Sequence, residues 1–198
     1  PRIPEVVFAM LACAKLGAVH SVIFGGFSAD ALSARIDDSE SRVVFTADGS
    51  WINGSVFPLK NIVDEAIHFS PTVENVLVVK RTGSDVHMDP LRDHWYHDLT
   101  ALPVARGKCE TVQLDSEHPL FILYTSGSTG KPKAVLHTHG GYMVGTYTTL
   151  HDTFDIHDQD RFWCTADAGW ITGHSYAVYG PLLTGATSFM FEGGPSYP

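Results

Sequence analysis

The stretch LFILYTSGSTGKPKAVLH, residues 120–137, decides how the rest of the chain is interpreted. It begins with the apolar run Leu120–Tyr124, which is typical of a buried strand. A loop of glycine, hydroxyl and lysine residues follows directly, and Ala134–His137 has the pattern of a second strand. A loop of this composition after a buried strand indicates a ligand-binding segment.

The loop has the chemistry of a phosphate-binding segment. Its two glycines permit backbone torsions and close approaches that a Cβ would block, and successive N–H groups in such a turn form a concavity for anions. Hydroxyls add donors, and the lysines add positive charge for a polyphosphate. The predicted phosphate-binding residues are Thr125, Ser126, Gly127, Ser128, Thr129, Gly130, Lys131 and Lys133. We expect this loop to be exposed and poorly ordered without a ligand.

The loop does not fit the Walker A motif of P-loop NTPases. Thr125 occupies the position of that motif's first glycine, and Pro132 follows the lysine where Ser or Thr is required. Pro132 also disfavours a direct passage into a helix, because the residue before a proline avoids the helical region. A kinase-like or transporter-like NTPase is therefore excluded.

Outward from the loop, short apolar strands alternate with helical segments, which predicts an α/β fold of packed layers with right-handed crossovers. Core strands are predicted at 19–24, 43–46, 76–79, 120–124 and 187–191. Helices are predicted at 6–16, 29–36 with Ser28 as N-cap, 59–69, 141–154 and 176–183. Residues 82–115 are polar and lack a sustained period, which predicts a surface excursion with one short helix near 93–99.

The amino-acid composition argues against several classes of protein. The 198 residues carry 13 Lys and Arg against 22 Asp and Glu, and a formal net charge of −9 disfavours nucleic-acid binding. No apolar run approaches the roughly 18 residues of a membrane span. Cys13, Cys109 and Cys164 show neither a disulfide framework nor a metal-binding spacing, and no leader pattern is present, so we expect a cytoplasmic protein. Both ends have the appearance of cuts within a longer chain.

The segment YTSGSTGKPKA, residues 124–134, resembles the phosphate-loop signature of the adenylate-forming superfamily, which includes acyl-CoA synthetases, luciferases and peptide-synthetase adenylation domains. Other segments are similar to the acetyl-CoA synthetase family in particular. They are MLACAKLGAVHSVIFGGF (10–27), KRTGSD (80–85), HTHGGY (137–142), CTADAGWITGHSY (164–176) and GPLLTGATSFMFEGGPSYP (180–198). The resemblance covers nearly the whole chain and weakens between 86 and 115.

This resemblance implies that residues 1–198 form part of a large N-terminal adenylation domain, without the C-terminal domain. It implies an acetate–CoA ligase that uses Mg-ATP and coenzyme A as co-substrates, with no tightly bound cofactor. Trp170, Ile171 and Thr172 match positions at a small acyl pocket, while Thr172 and Ser196 match contacts to coenzyme A. The adenine site and a catalytic lysine belong to regions beyond residue 198, so the chain alone is expected not to turn over.

Three positions depart from the family pattern. Ala134 stands where the loop signature usually has glycine. Ile52 and Ser55 stand where the family carries two arginines for the coenzyme A nucleotide. These two substitutions weaken the expected electrostatic grip on the 3′-phosphate end of coenzyme A.

Alternatives remain open from sequence alone. His137 and His139 alternate along a strand and could be read as a metal pair, but no third ligand has a familiar spacing, so no metal site is predicted. His174 is expected to support the pocket rather than act as a base, because a carboxylate substrate is already a nucleophile. A propionate- or acetoacetate-preferring ligase and a non-catalytic nucleotide-binding relative are the competing functions.

Overall fold

A computed structural model describes residues 1–68, 70–125 and 132–193. The helices and strands mix along the chain as the predicted α/β class requires. The chain divides into two compact units. Unit 1 comprises Pro1, Gly25–Glu110 and the segment from Glu192 onward, and unit 2 comprises Arg2–Phe24 and Thr111–Phe191. Among the described residues, every helix is too short or too polar to serve as a membrane span.

Unit 1 is built on a three-stranded parallel sheet. Its strands, in the spatial order β1–β4–β5, are Val43–Ala47 (β1), Asn75–Val79 (β4) and Asp93–Trp95 (β5). A two-stranded hairpin separates β1 from the next helix, with strands Ser50–Ile52 (β2) and Ser55–Phe57 (β3). The helices are Ala29–Asp38 (α2), Leu59–Ile67 (α3) and Tyr96–Ala101 (α4), followed by the 3₁₀ turn Pro103–Arg106.

The core of unit 1 lies between this sheet and the two longer helices. Buried side chains of α2 and α3 pack on the inward face of β4, and the cluster consists of Ile36, Val63, Ile67, Val76 and Val78. The predicted N-cap is confirmed, because the Ser28 hydroxyl accepts a hydrogen bond from the Ala31 N–H at 3.3 Å. A serine at this position satisfies one of the otherwise unpaired first-turn donors.

Buried charges also hold unit 1 together. The ammonium group of Lys60 on α3 is completely buried and lies 2.7 Å from the equally buried Asp93 carboxylate on β5. It also contacts Asp64 at 2.6 Å and donates to the carbonyl of His87 at 2.9 Å. Although burial alone would raise the pKa of Asp93, hydrogen bonds from Arg92 and Lys60 lower it to about 2. Lys60 and Asp93 therefore each have an opposite charge beside them.

Unit 2 combines an antiparallel hairpin with helices. The hairpin strands are Pro119–Thr125 (β6) and Lys133–Thr138 (β7), and a separate parallel pair joins Arg161–Trp163 (β8) to Thr187–Phe189 (β9). Its α-helices are Pro4–Leu16 (α1), His139–Thr148 (α5), Ile171–Gly173 (α6) and Gly180–Leu183 (α7). The π-helical turns Thr149–Thr153 and His174–Tyr179 extend α5 and join α6 to α7.

One predicted element is wrong, and another is confirmed only in part. Residues 19–24 do not form a strand; only His20 makes a β-bridge, with Phe121, through backbone hydrogen bonds to Leu120 and Ile122 on β6. The short helix expected near 93–99 is confirmed in part: it is α4, which begins at Tyr96, whereas Asp93–Trp95 form the third strand β5, where the Asp93 carboxylate pairs with Lys60. The last strand is shorter than predicted and ends at Phe189.

Candidate functional site

The predicted phosphate loop is held between the two strands of the β6–β7 hairpin. Thr125 at the end of β6 pairs directly with Lys133 at the start of β7, and both residues are exposed. A strand follows Pro132, as the proline predicted, so the loop does not lead into a helix. Residues 126–131 lie outside the described residues, and their phosphate-binding role and their order stay predictions.

The predicted acyl-pocket residues occupy the start of α6. Trp170 is the residue before this helix, and its carbonyl accepts from the His174 backbone N–H at 3.0 Å. Ile171 and Thr172 lie in the first turn, with both side chains exposed. The Trp170 ring is 48% exposed and lies 6.2 Å from the Phe24 ring. The three side chains therefore form an open surface, whereas Ser196 lies outside the described residues.

Close backbone packing fixes the direction of this helix. A Cβ added at Gly173 would lie 1.9 Å from the carbonyl oxygen of Asp167, so any other residue would force the 167–173 segment apart. Glycine at this position therefore sets the orientation in which Trp170, Ile171 and Thr172 are presented.

A groove that sequence reasoning missed lies in unit 2, between β7, α5 and the π-helical turn 174–179. It has a volume of about 460 Å³ and is lined by Leu136, His137, Thr138, Gly141, Tyr142, Gly145, Thr146, Thr149, Ser175 and Tyr176. Within it, the Tyr142 hydroxyl and the Ser175 hydroxyl are hydrogen-bonded at 2.8 Å. Most of these residues belong to the HTHGGY and GHSY segments. The resemblance of these segments to the family is the sequence feature that could have indicated the groove.

Two histidines of unit 2 are withdrawn from solvent, His174 completely and His20 in part. His174 is completely buried, and its ring is nearly parallel to that of His20, at 6.2 Å between ring centres. Burial lowers the pKa of His174 to about 4, and burial with repulsion from His174 and His139 lowers the pKa of His20 to about 3. Both rings are therefore neutral at pH 7. A buried neutral His174 supports the predicted structural role.

The two histidines expected to alternate along one strand are both engaged in ring packing, but only His137 lies on β7, and His139 begins α5. His137 stacks on Phe121 at 4.6 Å between ring centres, and His139 lies 5.8 Å from His118. Burial lowers the pKa of both His137 and His139. The described residues contain no cluster of three His, Cys, Asp or Glu side chains that could hold a metal ion.

In unit 1, Ile52 and Ser55, the two departures from the family pattern named in the sequence analysis, face each other across the β2–β3 hairpin. Ile52 pairs with Ser55, both side chains are exposed, and the tight turn between them is formed by Asn53 and Gly54 at positive φ. Such a two-residue Asn-Gly turn is a strong determinant of hairpin formation. Neither side chain at this tip can supply a positive charge.

A buried carboxylate next to the hairpin was also missed. Asp48, directly after β1, is fully buried and accepts five backbone N–H bonds of 2.7–3.1 Å, from Gly49 and from Arg81–Ser84. Although burial alone would raise the pKa of Asp48, these N–H donors hold it below its usual range. The sequence feature that could have identified it is an Asp at the carboxyl end of a predicted parallel strand. Ligand-binding sites in α/β sheets commonly lie at that end of the strands.

Comparisons with known proteins relate this chain to one family of enzymes. The family described as "AMP-binding enzyme" matches residues 1–198. The acetyl-coenzyme A synthetase of Chlorobaculum tepidum is 58% identical over 99% of this chain and 29% of its own length. That of Methanothrix thermoacetophila is 57% identical over 100% of this chain and 30% of its own length. The chain thus spans about three tenths of these relatives.

A solved structure gives the same answer for the fold. The acetoacetyl-CoA synthetase from Streptomyces lividans superimposes with a TM-score of 0.89 at 32% sequence identity, over 100% of this chain and 29% of that chain. The match of the family across every residue, together with these relatives, shows that the chain belongs to the AMP-binding enzyme family.

Proposed function

We propose that this chain is part of the large N-terminal domain of an AMP-forming acetate–CoA ligase. The complete enzyme would make acetyl-CoA from acetate, ATP and coenzyme A through an acetyl-adenylate. The observation that carries the proposal is 57–58% identity across the whole chain to proteins named acetyl-coenzyme A synthetase. Identity at this level extends beyond the phosphate loop to the segments that differ between families.

In the first half-reaction, the acetate carboxylate attacks the α-phosphorus of ATP, and pyrophosphate leaves. The loop 125–133 would hold the β- and γ-phosphates and stabilise the charge that develops on the leaving pyrophosphate. The Thr125–Lys133 pairing supports this role, because it fixes both ends of the loop before the nucleotide arrives. Mg²⁺ would enter with the nucleotide, as part of the substrate.

The step needs no general base on the protein, since the substrate is ionised at neutral pH. The burial of His174 agrees with this, because a side chain with no exposed surface cannot take a proton from a substrate in the open site. In the second half-reaction the coenzyme A thiolate displaces AMP from the acetyl group. Trp170, Ile171 and Thr172 would line the acyl pocket, while Thr172 and Ser196 would contact coenzyme A.

A second candidate is a ligase for acetoacetate. It is favoured by one observation, the close superposition on the acetoacetyl-CoA synthetase from Streptomyces lividans. At 32% identity that relationship is more distant than the one to the acetyl-coenzyme A synthetases. The kcat/KM values for acetate, propionate and acetoacetate distinguish a ligase for each of these acids. We expect the highest kcat/KM with acetate.

The test uses the native gene product that contains this chain, in two assays. Acetate-dependent exchange of pyrophosphate into ATP reports the first half-reaction, and acetyl-CoA formation reports the whole. We expect both activities. Binding of ATP without exchange would favour the non-catalytic alternative, and the ligase assignment would then be wrong.

A paired substitution tests the loop itself. Lys131→Ala should slow acetate-dependent exchange by about 100-fold, since charge-assisted contacts to a phosphate contribute roughly 1.5–3 kcal/mol each. Lys108→Ala is the matched control, because that exposed lysine contacts only Glu110 among the described residues. Equal exchange rates in the two variants would remove Lys131 from the mechanism.

A further inference from the structure

The helix α5 has the composition of a buried helix, yet most of its residues are exposed. The segment 134–150, which contains α5 and most of β7, has no Asp, Glu, Lys or Arg, although 18% of the whole chain is charged. Of the ten residues of α5, only Thr146 is buried. A helix on the surface of a globular protein normally has charged and polar residues on the side that faces water. The composition of α5 is therefore typical of an interface.

Large apolar side chains of α5 and β7 are exposed. On α5 they are Met143, Tyr147 and Val144, which is 62% exposed. On β7 the neighbouring residues Val135 and Leu136 are both exposed, and they point to opposite sides of the strand. Among the described residues, β7 pairs with β6 alone, so its other edge is unpaired. We call this surface the uncharged face, and it consists of Val135, Leu136, Gly141, Met143, Val144, Gly145 and Tyr147.

Two glycines of the uncharged face are not required by the packing of the described residues. Neither Gly141 nor Gly145 has a positive φ. A Cβ added at Gly145 would meet no other part of the chain within 4 Å, and one added at Gly141 would meet only the Thr138 hydroxyl, at 3.8 Å. Gly140 differs, because a Cβ there would lie 2.7 Å from the Cβ of Ser116. Since glycine lowers the stability of a helix relative to alanine, Gly141 and Gly145 are expected where another backbone approaches closely.

Three hydroxyl groups on and beside α5 are already hydrogen-bonded within unit 2. The Thr146 hydroxyl donates to the carbonyl of Tyr142 at 2.7 Å, and the Thr149 hydroxyl donates to that of Gly145 at 2.8 Å. The Tyr142 and Ser175 hydroxyls are paired at 2.8 Å. Covering a polar group is costly only when it loses its hydrogen bonds. An apolar occupant can therefore cover this side of unit 2 without leaving these hydroxyls unpaired.

The extent of the uncharged face and the length of the relatives indicate what covers it. Val135, Met143, Val144 and Tyr147 are not among the residues that line the groove, so the face is wider than the groove that a small molecule would fill. The chain corresponds to about three tenths of the related acetyl-coenzyme A synthetases and of the superimposed structure. Most of the polypeptide of each relative thus lies outside the matched part.

We propose that the uncharged face is an internal interface of the complete protein, covered by polypeptide outside residues 1–198. The backbone of that polypeptide approaches α5 at Gly141 and Gly145, and its side chains fill the groove. It is apolar where it meets Val144 and Leu136, because an unpaired charge buried there would be costly. The assignment is independent of the ligase reaction, since it depends on packing and on the length of the relatives.

Oxidation of methionine in the unmodified native gene product tests this interface without any substitution. Met143 is 48% exposed within the chain, whereas Met10 is 1% exposed. Hydrogen peroxide should oxidise Met143 at least about tenfold more slowly than in the urea-unfolded protein, and no faster than Met10, because a covered side chain reacts only when the structure opens locally. Mass spectrometry of the peptides measures both rates. Oxidation of Met143 at the rate of the unfolded protein would overturn the proposal.

Cysteine labelling adds a matched pair of variants. Val144→Cys and Val104→Cys each replace an exposed valine, but Val104, which is 81% exposed, lies in a turn beside the charged Arg106. Iodoacetamide should label Val144→Cys at least about tenfold more slowly than Val104→Cys. The exposed natural Cys109 serves as the internal reference in each sample. Equal rates would overturn the proposal, and if Val144→Cys fails to fold, the oxidation of Met143 decides.

The other possible occupants give different results. Protection of Met143 that is lost on dilution would assign the uncharged face to a second copy of the protein. Protection that appears only after addition of MgATP, acetate or coenzyme A would assign it to a ligand. Either result would overturn the proposal. A protein that protects Met143 but shows no acetate-dependent exchange would leave the interface standing, while the proposed function would fail.

Discussion

The two units differ in the polar groups that they bury. In unit 1 the buried Lys60 lies between two carboxylates and the buried Asp48 lies inside five N–H groups. In unit 2 three buried ring nitrogens, Nδ1 of His20 and Nε2 of His139 and of His174, have no hydrogen-bond partner among the described residues. A buried charge without a partner is far more costly than a neutral group that lacks a hydrogen bond. The neutral forms of His20 and His174 therefore contribute to the stability of unit 2, and protonation of either ring should weaken it.

The largest effect should come from breaking the compensated network of unit 1. Lys60→Met removes the ammonium group and leaves the buried Asp93 carboxylate with the Arg92 guanidinium and the Asp89 backbone N–H, which should cost about 3–5 kcal/mol of local stability. Hydrogen exchange of the β4 backbone amides measures this change. Lys80→Met, at an exposed position of the same unit, should stay within about 0.5 kcal/mol. Similar exchange in both variants would show that the network contributes little.

A smaller effect should follow from protonating the buried histidines of unit 2. The pKa of His174 is about 4 in the folded protein and roughly 6.5 when unfolded, so the unfolded chain binds the proton more tightly. Stability should be constant above about pH 7 and fall as the pH drops from 6.5 towards 4, by about 2 kcal/mol at pH 5 from His174 alone. His20 acts in the same direction, and so do His137 and His139 beside them.

Exchange of the β6 amides at pH 7 and pH 5, corrected for the intrinsic rate, tests this prediction. His174→Gln should reduce the pH dependence, whereas His157→Gln, at a residue whose side chain is 72% exposed, should not. An unchanged slope in His174→Gln would contradict the assignment of the acid-sensitive group to the core of unit 2.

The smallest effect concerns the open surface of unit 2. Ile171→Ala should admit one or two further methylenes of substrate and shift the preference towards butyrate by about 1 kcal/mol for each methylene. The ratio of kcat/KM for acetate and butyrate in the native gene product measures the change. Leu183→Ala, a similarly exposed truncation on α7, should leave the ratio unaltered. A constant ratio in Ile171→Ala would place this residue outside the acyl pocket.

The helices and strands that were predicted correctly are those whose structure follows from the local sequence pattern. β1, β4, β6 and β7 are short apolar runs bounded by turn residues, and α2 begins at its serine cap. The β2–β3 hairpin was missed even though Asn53-Gly54 is a recognisable turn, because its strands are only three residues long. Residues 19–24 have a strand composition, yet they add a single bridge to β6, since composition does not determine pairing.

The candidate site was predictable only in part, for a related reason. The phosphate loop and the 170–172 segment are contiguous in sequence, so their motifs identify them directly. The Asp48 cradle and the Arg81–Glu192 pair join residues 33 to 111 positions apart, and no spacing rule connects them. The burial of His174 likewise depends on Phe121 and His20, which come from other elements.

The pairing of Ile52 with Ser55 across the hairpin has a consequence for how the stability of the hairpin depends on salt. Side chains directly opposite each other on neighbouring strands have Cβ atoms about 5 Å apart, so two arginines at these positions would repel each other. A hairpin with that pair would be stabilised by any anion bound between the arginines, which couples its folding to ligand and to salt. Isoleucine and serine carry no charge, so this pair should make the stability of the hairpin tip independent of ionic strength.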